Sequence, residues 1–72
     1  MAQFSVREYD QLERAIRDGQ RVAVMRRGTE YIIVPLAIRV RAGRDLIEAR
    51  NPTTGDAMTL FIDDLDSFAV LS

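Results

Sequence analysis

The sequence predicts a single α+β domain that is mainly β: one N-terminal helix, then five short antiparallel strands that curl into a small barrel. Three observations support this fold class. A capping motif and an apolar stripe at helical spacing fall within about residues 6–18, and apolar residues alternate along several stretches of residues 21–71. Turns that contain glycine or proline separate most of these stretches. With 72 residues, the chain is expected to form one domain over residues 1–72.

The helix is predicted to begin after Ser5 and to end before Gly19. Ser5 and Glu8 have the spacing of a capping box, in which the hydroxyl and the carboxylate accept hydrogen bonds from backbone amides of the first turn. Gly19 stands where a left-handed C-terminal cap is expected. An apolar stripe at helical spacing contains Val6, Tyr9, Leu12, Ala15 and Ile16. Such a short helix is unstable alone, so the stripe is expected to dock on the strands.

The longest predicted strand is expected to bend in its middle. Its main apolar row, at period two, contains Ile32, Val34, Leu36, Ile38 and Val40. The opposite face carries Tyr31, Ile33 and Ala37. Pro35 cannot donate a hydrogen bond to a ladder, so the strand should bend or bulge there, or lie at an edge. A long bent strand suits a small barrel in which one strand serves both sheets.

The other four strands are shorter. Their inward-facing candidates are Val22 and Val24, then Ile47 and Ala49, then Met58, Leu60 and Ile62, and last Phe68 and Val70. One helix followed by five closely spaced strands indicates an antiparallel barrel of SH3 or Sm type, with the helix covering one open end. Tyr31 and Phe61 lie opposite the main apolar rows and are expected to form a second small core against the helix.

The composition argues against most enzyme classes. Cysteine and histidine are absent, which removes disulfides, thiolate ligands and the usual general base. The four glycines stand in separate turns, so no phosphate-binding loop is present. Asp63, Asp64 and Asp66 lack the ligand spacing of known calcium loops. The sequence therefore predicts a non-catalytic protein that uses no metal and no cofactor.

Neither a signal peptide nor a membrane helix is expected. The first ten residues lack both a basic cluster and an apolar core region. No apolar run approaches the roughly 20 residues that a membrane helix needs. The prediction is a soluble cytoplasmic protein that does not bind a membrane.

Charge is distributed unevenly along the chain. Residues 1–50 carry ten arginines and seven acidic residues, which gives +3, whereas residues 51–72 carry four aspartates and no basic residue, which gives −4. Such asymmetry can pair two halves of a fold or mark two faces for different partners. The net charge of −1 argues against general nucleic-acid binding.

A candidate phosphate-binding cluster lies around one predicted hairpin. Arg39 and Arg41 share one side of their strand, Arg44 follows across the turn, and Arg26 and Arg27 could approach the same surface. The favoured alternative is that these arginines keep strand ends soluble or pair with carboxylates. The candidate partners are Glu30, Asp45, Glu48 and the aspartates of residues 63–66.

Two stretches of the sequence are similar to those of a regulatory family. Residues 9–15 (YDQLERA) and 60–68 (LFIDDLDSF) resemble the helix opening and the closing strand and turn of Rof, the small Rho-binding antiterminator of bacteria. The resemblance implies an Sm-like fold and action on a protein, the termination factor Rho, through acidic side chains that imitate phosphates. The residues that would carry this role are Glu8, Asp10 and Glu13, and here Arg7, Arg14 and Arg17 interrupt that acidic face.

A second resemblance concerns the strands. The segments EYIIVPLAI, GRDLIEA and TGDAMTLFIDDL resemble strands of the WYL domain, a ligand-sensing module of bacterial transcription regulators. Residues 45–47 are Asp-Leu-Ile where that family has Trp-Tyr-Leu, and the last strand has no arginine in place of the family's ligand-binding arginine. The resemblance implies the barrel fold and not the ligand site.

Three functions are consistent with these observations. The first is a non-catalytic bacterial regulatory module that acts on a protein partner, with a Rof-like role in transcription as one form. The second is an Sm-like module that binds RNA or another single strand through Arg39, Arg41 and Arg44. The third is a structural homo-oligomer joined through the edges of the barrel.

Overall fold

The computed structural model describes residues 4–71. It contains one helix, five strands and a short 3-10 turn between the last two strands. Their bounds are α1 Val6–Asp18, β1 Val22–Arg26, β2 Thr29–Arg41, β3 Arg44–Arg50, β4 Ala57–Phe61, the 3-10 turn Ile62–Asp64 and β5 Leu65–Val70. The predicted class, one N-terminal helix followed by a five-stranded antiparallel sheet, is confirmed. Within these residues no helix is both long and apolar enough to span a membrane.

Both predicted caps of α1 are present. The Ser5 amide donates to Oε1 of Glu8 at 2.9 Å, and the Glu8 amide donates to Oγ of Ser5 at 3.2 Å. Gly19 adopts the left-handed conformation (φ 68°), and its amide donates to carbonyls of the last turn. These contacts satisfy backbone groups that a helix end would otherwise leave unpaired, so the helix occupies the predicted residues.

The sheet has the strand order β4-β3-β2-β1-β5, and every neighbouring pair is antiparallel. Residues 29–33 of β2 pair with β1, and residues 34–41 apart from Leu36 pair with β3. A straight strand of 13 residues would span about 43 Å, whereas residues 4–71 extend 28 Å along their longest principal axis. The strand β2 is therefore bent and serves both halves of the sheet, as predicted.

The bend coincides with a bulge at the predicted proline. The β2–β3 register shifts between Pro35 and Ala37, which leaves Leu36 without a cross-strand partner. Pro35 is buried, and a residue without an amide proton is tolerated there because the ladder is already interrupted.

The sheet is open at both edges. Among residues 4–71 no ladder joins β4 to β5, although the 3-10 turn connects them directly along the chain. The predicted barrel is thus not closed by hydrogen bonds between its two edge strands.

The core lies between the concave side of the bent sheet and α1, which packs on β2 and β5. It consists of Leu12, Ala15, Val22, Val24, Ile33, Ile47, Ala49, Leu60, Ile62 and Leu65. Most inward-facing candidates are confirmed, and Met58 and Phe68 pack against this cluster as partly buried residues. Among the residues predicted for the core face of β5 and the stripe of α1, Val70 and Val6 were wrong: Val70 is exposed, and Val6 is 79% exposed, so the buried stripe of the helix begins beyond it.

In the first half of β2, the buried face is the one opposite to the predicted apolar row. Ile33 pairs with Val22 and both are fully buried, whereas Ile32 on the predicted row is 36% exposed. Leu36 and Val40, from the same row, are also exposed, and only Ile38 packs against the core. The extra residue at the bulge shifts the alternation by one, so a single row cannot stay buried along the whole strand.

The expected second core against the helix does not form. Tyr31 is exposed, and the ring of Phe61 lies under the guanidinium of Arg44, with 4.0 Å between the guanidinium carbon and the ring centroid. Phe61 pairs with Leu46, which is buried but lies outside the main core cluster. The aromatic partners of the helix are instead Phe4 and Phe68, whose ring centroids are 4.9 Å apart.

Candidate functional site

Three of the predicted arginines lie together at the end of the β2–β3 hairpin. Arg41 pairs directly with Arg44, and Arg39 pairs with Leu46 two residues further along β3. Residues opposite each other in an antiparallel ladder share a face, so the three guanidinium groups start from the same side of the sheet. The like charges of Arg41 and Arg44 would repel each other without acidic neighbours.

Two of these arginines are engaged by carboxylates. Nε of Arg39 donates to Oε1 of Glu48 at 2.7 Å. Arg44 donates through Nε and Nη2 to the two carboxylate oxygens of Asp63, each at 3.2 Å, and its Nη2 lies 3.7 Å from Oδ1 of Asp64. The hydrogen bonds from Arg44 hold the pKa of Asp63 below its ordinary value. The favoured prediction of ion-paired arginines is confirmed for these two residues.

Arg41 is exposed and forms no ion pair with any residue in 4–71. Arg26 and Arg27 lie at the opposite end of β2, where Arg27 occupies the tight β1–β2 turn. The strand β2 lies between them and the β2–β3 hairpin end, so the five arginines stand at two different turns.

The acidic residues of α1 that match the Rof resemblance have different roles. Glu8 is held in the capping box by the Ser5 amide. Asp10 and Glu13 are exposed one turn apart, and neither forms an ion pair within the described chain. The acidic surface of the helix is therefore provided by Asp10 and Glu13.

An open, mostly apolar groove lies between α1 and the bulged part of β2. Its volume is about 520 Å³ and its lining residues are Tyr9, Glu13, Ile16, Arg17, Leu36, Ala37 and Ile38. Leu36 stands at the bulge and is 50% exposed, and Val40, two residues beyond Ile38 on the same strand, is 69% exposed. The only charged side chains of the lining are Glu13 and Arg17 of α1. We call this surface the α1–β2 groove.

The α1–β2 groove was not predicted from the sequence. The available signal was Pro35, which indicated a bulge in β2 but not which neighbouring residue would be extra. Because apolar residues occupy both faces of β2, alternation alone did not show that Leu36 would turn toward solvent.

A polar contact joins α1 to β3 beside the groove. Oη of Tyr9 donates to Oδ2 of Asp45 at 2.8 Å. Burial of the phenol, with a smaller effect of the Asp45 and Asp63 carboxylates, raises the pKa of Tyr9 to about 12. The hydroxyl therefore stays protonated at neutral pH and fixes one side of the helix to the start of β3.

The described residues offer little for metal chemistry. Within residues 4–71 no three acidic side chains approach one another as metal ligands would. Asp63 and Asp64, from the acidic run noted in the sequence, are both oriented toward Arg44. No buried side-chain nitrogen or oxygen in this part of the chain lacks a hydrogen-bond partner.

Comparisons with protein-family models, with curated proteins and with solved structures find no match to this chain. The resemblances to Rof and to the WYL domain therefore stay predictions that depend on the short segments quoted above.

Proposed function

We propose that this chain is a non-catalytic protein-binding module and that the α1–β2 groove is its contact surface. The observation that supports this most is the exposed apolar lining of the groove at the β2 bulge. Contiguous apolar surface that a soluble domain leaves exposed often marks a contact with another molecule. Leu36 in the groove and Val40 beside it leave at least half of their side chains exposed to solvent.

The chemistry of the lining favours a protein over a small polar ligand. Full burial of a leucine or valine side chain stabilises a complex by about 1.5–3 kcal/mol, so covering the exposed parts of Leu36 in the lining and of Val40 beyond it would contribute on the order of 2 kcal/mol together. Glu13 and Arg17 stand at the rim, where charged groups act on orientation and specificity more than on affinity.

A regulatory role in bacterial transcription is the form of this proposal that the Rof resemblance favours. Asp10 and Glu13 are exposed carboxylates on the helix that borders the groove. On a partner with a nucleic-acid site, they would take the place of phosphates. This role would be performed in the cytoplasm.

Binding of RNA through the hairpin has weaker support. Arg39 and Arg44 would have to exchange their carboxylates for phosphates, and Arg41 alone among the three has no acidic partner within residues 4–71. A contact of one arginine gives a shallow salt dependence, far below that of a protein that neutralises several phosphates.

Site-specific photo-crosslinking in bacterial cells tests the proposed surface. A photoreactive residue at position 36 is expected to give a discrete adduct with another protein molecule, because Leu36 lines the groove and is half exposed. The matched control carries the same group at Ile32, which lies on the same strand, is partly exposed and is outside the lining. An adduct at position 36 that weakens when Glu13, an exposed residue of the lining, is replaced by arginine would support the groove.

Two results would count against the proposal. Equal adducts at positions 32 and 36, or none at either, would show that the groove is not a preferred contact. Tight binding of single-stranded RNA that is lost in Arg41→Ala and weakens steeply with salt would instead favour the nucleic-acid alternative.

A further inference from the structure

We propose that the occupant of the α1–β2 groove is a second copy of this chain, related to the first by a two-fold axis beside α1; this names the partner and rests on the function proposed above. The proposal depends on the pattern of charge and shape around the groove, which is complementary to itself.

The charged rim is self-complementary. Glu13 and Arg17 lie one helical turn apart on α1, separated by about 6 Å along the helix axis, and both border the groove. If two copies of α1 meet antiparallel with the axis between these positions, Glu13 of each copy faces Arg17 of the partner subunit. Two equivalent ion pairs then form. The antiparallel helix dipoles are favourable in the same arrangement.

The charges are available for such contacts. Arg17 has a weak contact with Asp18, 3.6 Å between Nε and Oδ1, and its side chain is 72% exposed. Glu13 has no ion pair within residues 4–71. An exposed pair at this distance contributes little, so Arg17 can turn to a carboxylate across an interface without a large loss.

The apolar surface of the groove is also complementary to itself. Each copy has one projecting side chain, Leu36 at the bulge, and one groove lined by Ile16, Ala37 and Ile38. A two-fold axis places the projecting leucine of each copy beside the groove of the other, which is the isologous arrangement of most homodimers. The net charge of −1 gives two copies almost no repulsion.

A second copy is favoured over an unrelated protein because the charge pattern and the apolar surface around the groove are each complementary to themselves. The size of the domain adds a reason. A chain of about this length buries only roughly 60% of its unfolded surface, and a standard interface buries about 800 Å² more on each partner. That area would be a sizeable part of the 4786 Å² that the described chain exposes.

Sedimentation equilibrium of the full chain from about 1 to 200 µM at low salt measures the dimer. We expect a monomer–dimer equilibrium that Glu13→Arg and Arg17→Glu each weaken about tenfold, since either reversal replaces two attractive contacts by two repulsive ones. The double exchange, E13R with R17E, is expected to restore the dissociation constant to within about threefold, because opposite charges face each other again.

Two controls separate the groove from other surfaces. Arg14→Glu makes the same change of charge as Arg17→Glu on the same helix, but Arg14 lines a different hollow near Gln20 and Val70. It is expected to leave the dissociation constant unchanged, and so is Ile32→Asp, whereas Leu36→Asp should abolish dimerisation. Circular dichroism confirms that each variant is folded.

Several outcomes would overturn the inference. One is a monomer throughout the concentration range. Another is a dimer that Leu36→Asp does not affect, which would indicate pairing through the open edges of β4 or β5. The third is a double exchange that fails to restore association. A monomeric chain that still forms an adduct with a different protein at position 36 would refute the dimer and leave the proposed function intact.

Discussion

Two residues other than glycine have left-handed backbone in the described chain, Arg27 with φ 50° and Ala42 with φ 53°. Each is followed by a glycine with positive φ, Gly28 or Gly43, and each pair forms the two-residue loop of a hairpin. Positive φ at both loop residues is the type I′ geometry, whose twist matches that of the flanking strands. Glycine adopts this conformation freely, whereas a residue with a Cβ is strained in it by about 1–2 kcal/mol. The turns were predicted, but Arg-Gly and Ala-Gly lack the asparagine that commonly identifies this loop type.

Replacement of Ala42 by asparagine should stabilise the protein. Asparagine tolerates the left-handed conformation better than alanine, so we expect Ala42→Asn to add on the order of 0.5–1 kcal/mol to the free energy of unfolding. For a domain of this size, 1 kcal/mol corresponds to a rise in Tm of about 4–8 °C. Thermal and urea unfolding measure both quantities.

The neighbouring glycine gives the matched control. A Cβ at Gly43 would meet no atom within 4 Å, so Gly43→Ala adds backbone strain without a clash. It should lower stability by about 1 kcal/mol. If Ala42→Asn is destabilising, or if Gly43→Ala has no effect, the loop does not have type I′ geometry.

The elements differ in how far the sequence predicts them. The bounds of α1 follow from local signals, because Ser5, Glu8 and Gly19 act within one or two turns of the chain. Which residues of β2 are buried does not follow from local signals. The position of the extra residue at the bulge is set by the pairing of β2 with β1 on one side and with β3 on the other. The α1–β2 groove exists where this register shift turns Leu36 outward, so the candidate site is a tertiary feature that periodicity could not predict.

Attachment of the helix to β3 should give the protein a distinct alkaline transition. The pKa of Tyr9 is about 12 in the folded protein and near 10 in the unfolded chain, because the folded state favours the protonated phenol. A raised pKa stabilises the fold fully below pH 10, and this contribution is lost as the pH rises toward 12. Urea unfolding between pH 8 and 12 should therefore show a loss of stability in the wild type that Tyr9→Phe lacks.

A direct titration of the phenol checks the same point. The chain has two tyrosines, so Tyr31→Phe leaves Tyr9 as the only one. The ultraviolet absorbance of this variant should change with a midpoint near pH 12 while the protein is folded. A midpoint near 10 would show that the phenol is neither buried nor held by Asp45.

At the scale of the whole molecule, two consecutive residues at the start of β3 connect parts of the chain that are distant in sequence. Arg44 binds Asp63 of the 3-10 turn on one face of the sheet, and Asp45 binds Tyr9 of α1 on the other. The 3-10 turn joins the open edge strands β4 and β5, so Arg44 fixes the segment between the two edges. The sequence indicated an ion pair for this arginine. It did not indicate that the ion pair would hold the segment between two unpaired edge strands, because the pairing of those edges depends on contacts between residues distant in sequence.

Loss of the Arg44–Asp63 contact should therefore contribute to acid unfolding. The pKa of Asp63 is lowered by the hydrogen bonds from Arg44, so the contact stabilises the fold above the unfolded-state pKa of about 4 and is lost as the pH falls through the lower folded value. A double-mutant cycle with Arg44→Gln and Asp63→Asn, measured by urea unfolding from pH 7 to 3, should give a favourable coupling that declines toward pH 3. In Arg44→Gln, the carboxyl carbon of Asp63 should titrate at higher pH by NMR.

The cycle of Arg39→Gln with Glu48→Gln is the control, because that pair joins only neighbouring strands of one hairpin. It should leave the attachment of the 3-10 turn unchanged, as measured by hydrogen exchange of the Leu65 amide, whereas Arg44→Gln should speed that exchange. Equal exchange in both variants would mean that the sheet edges are held without Arg44.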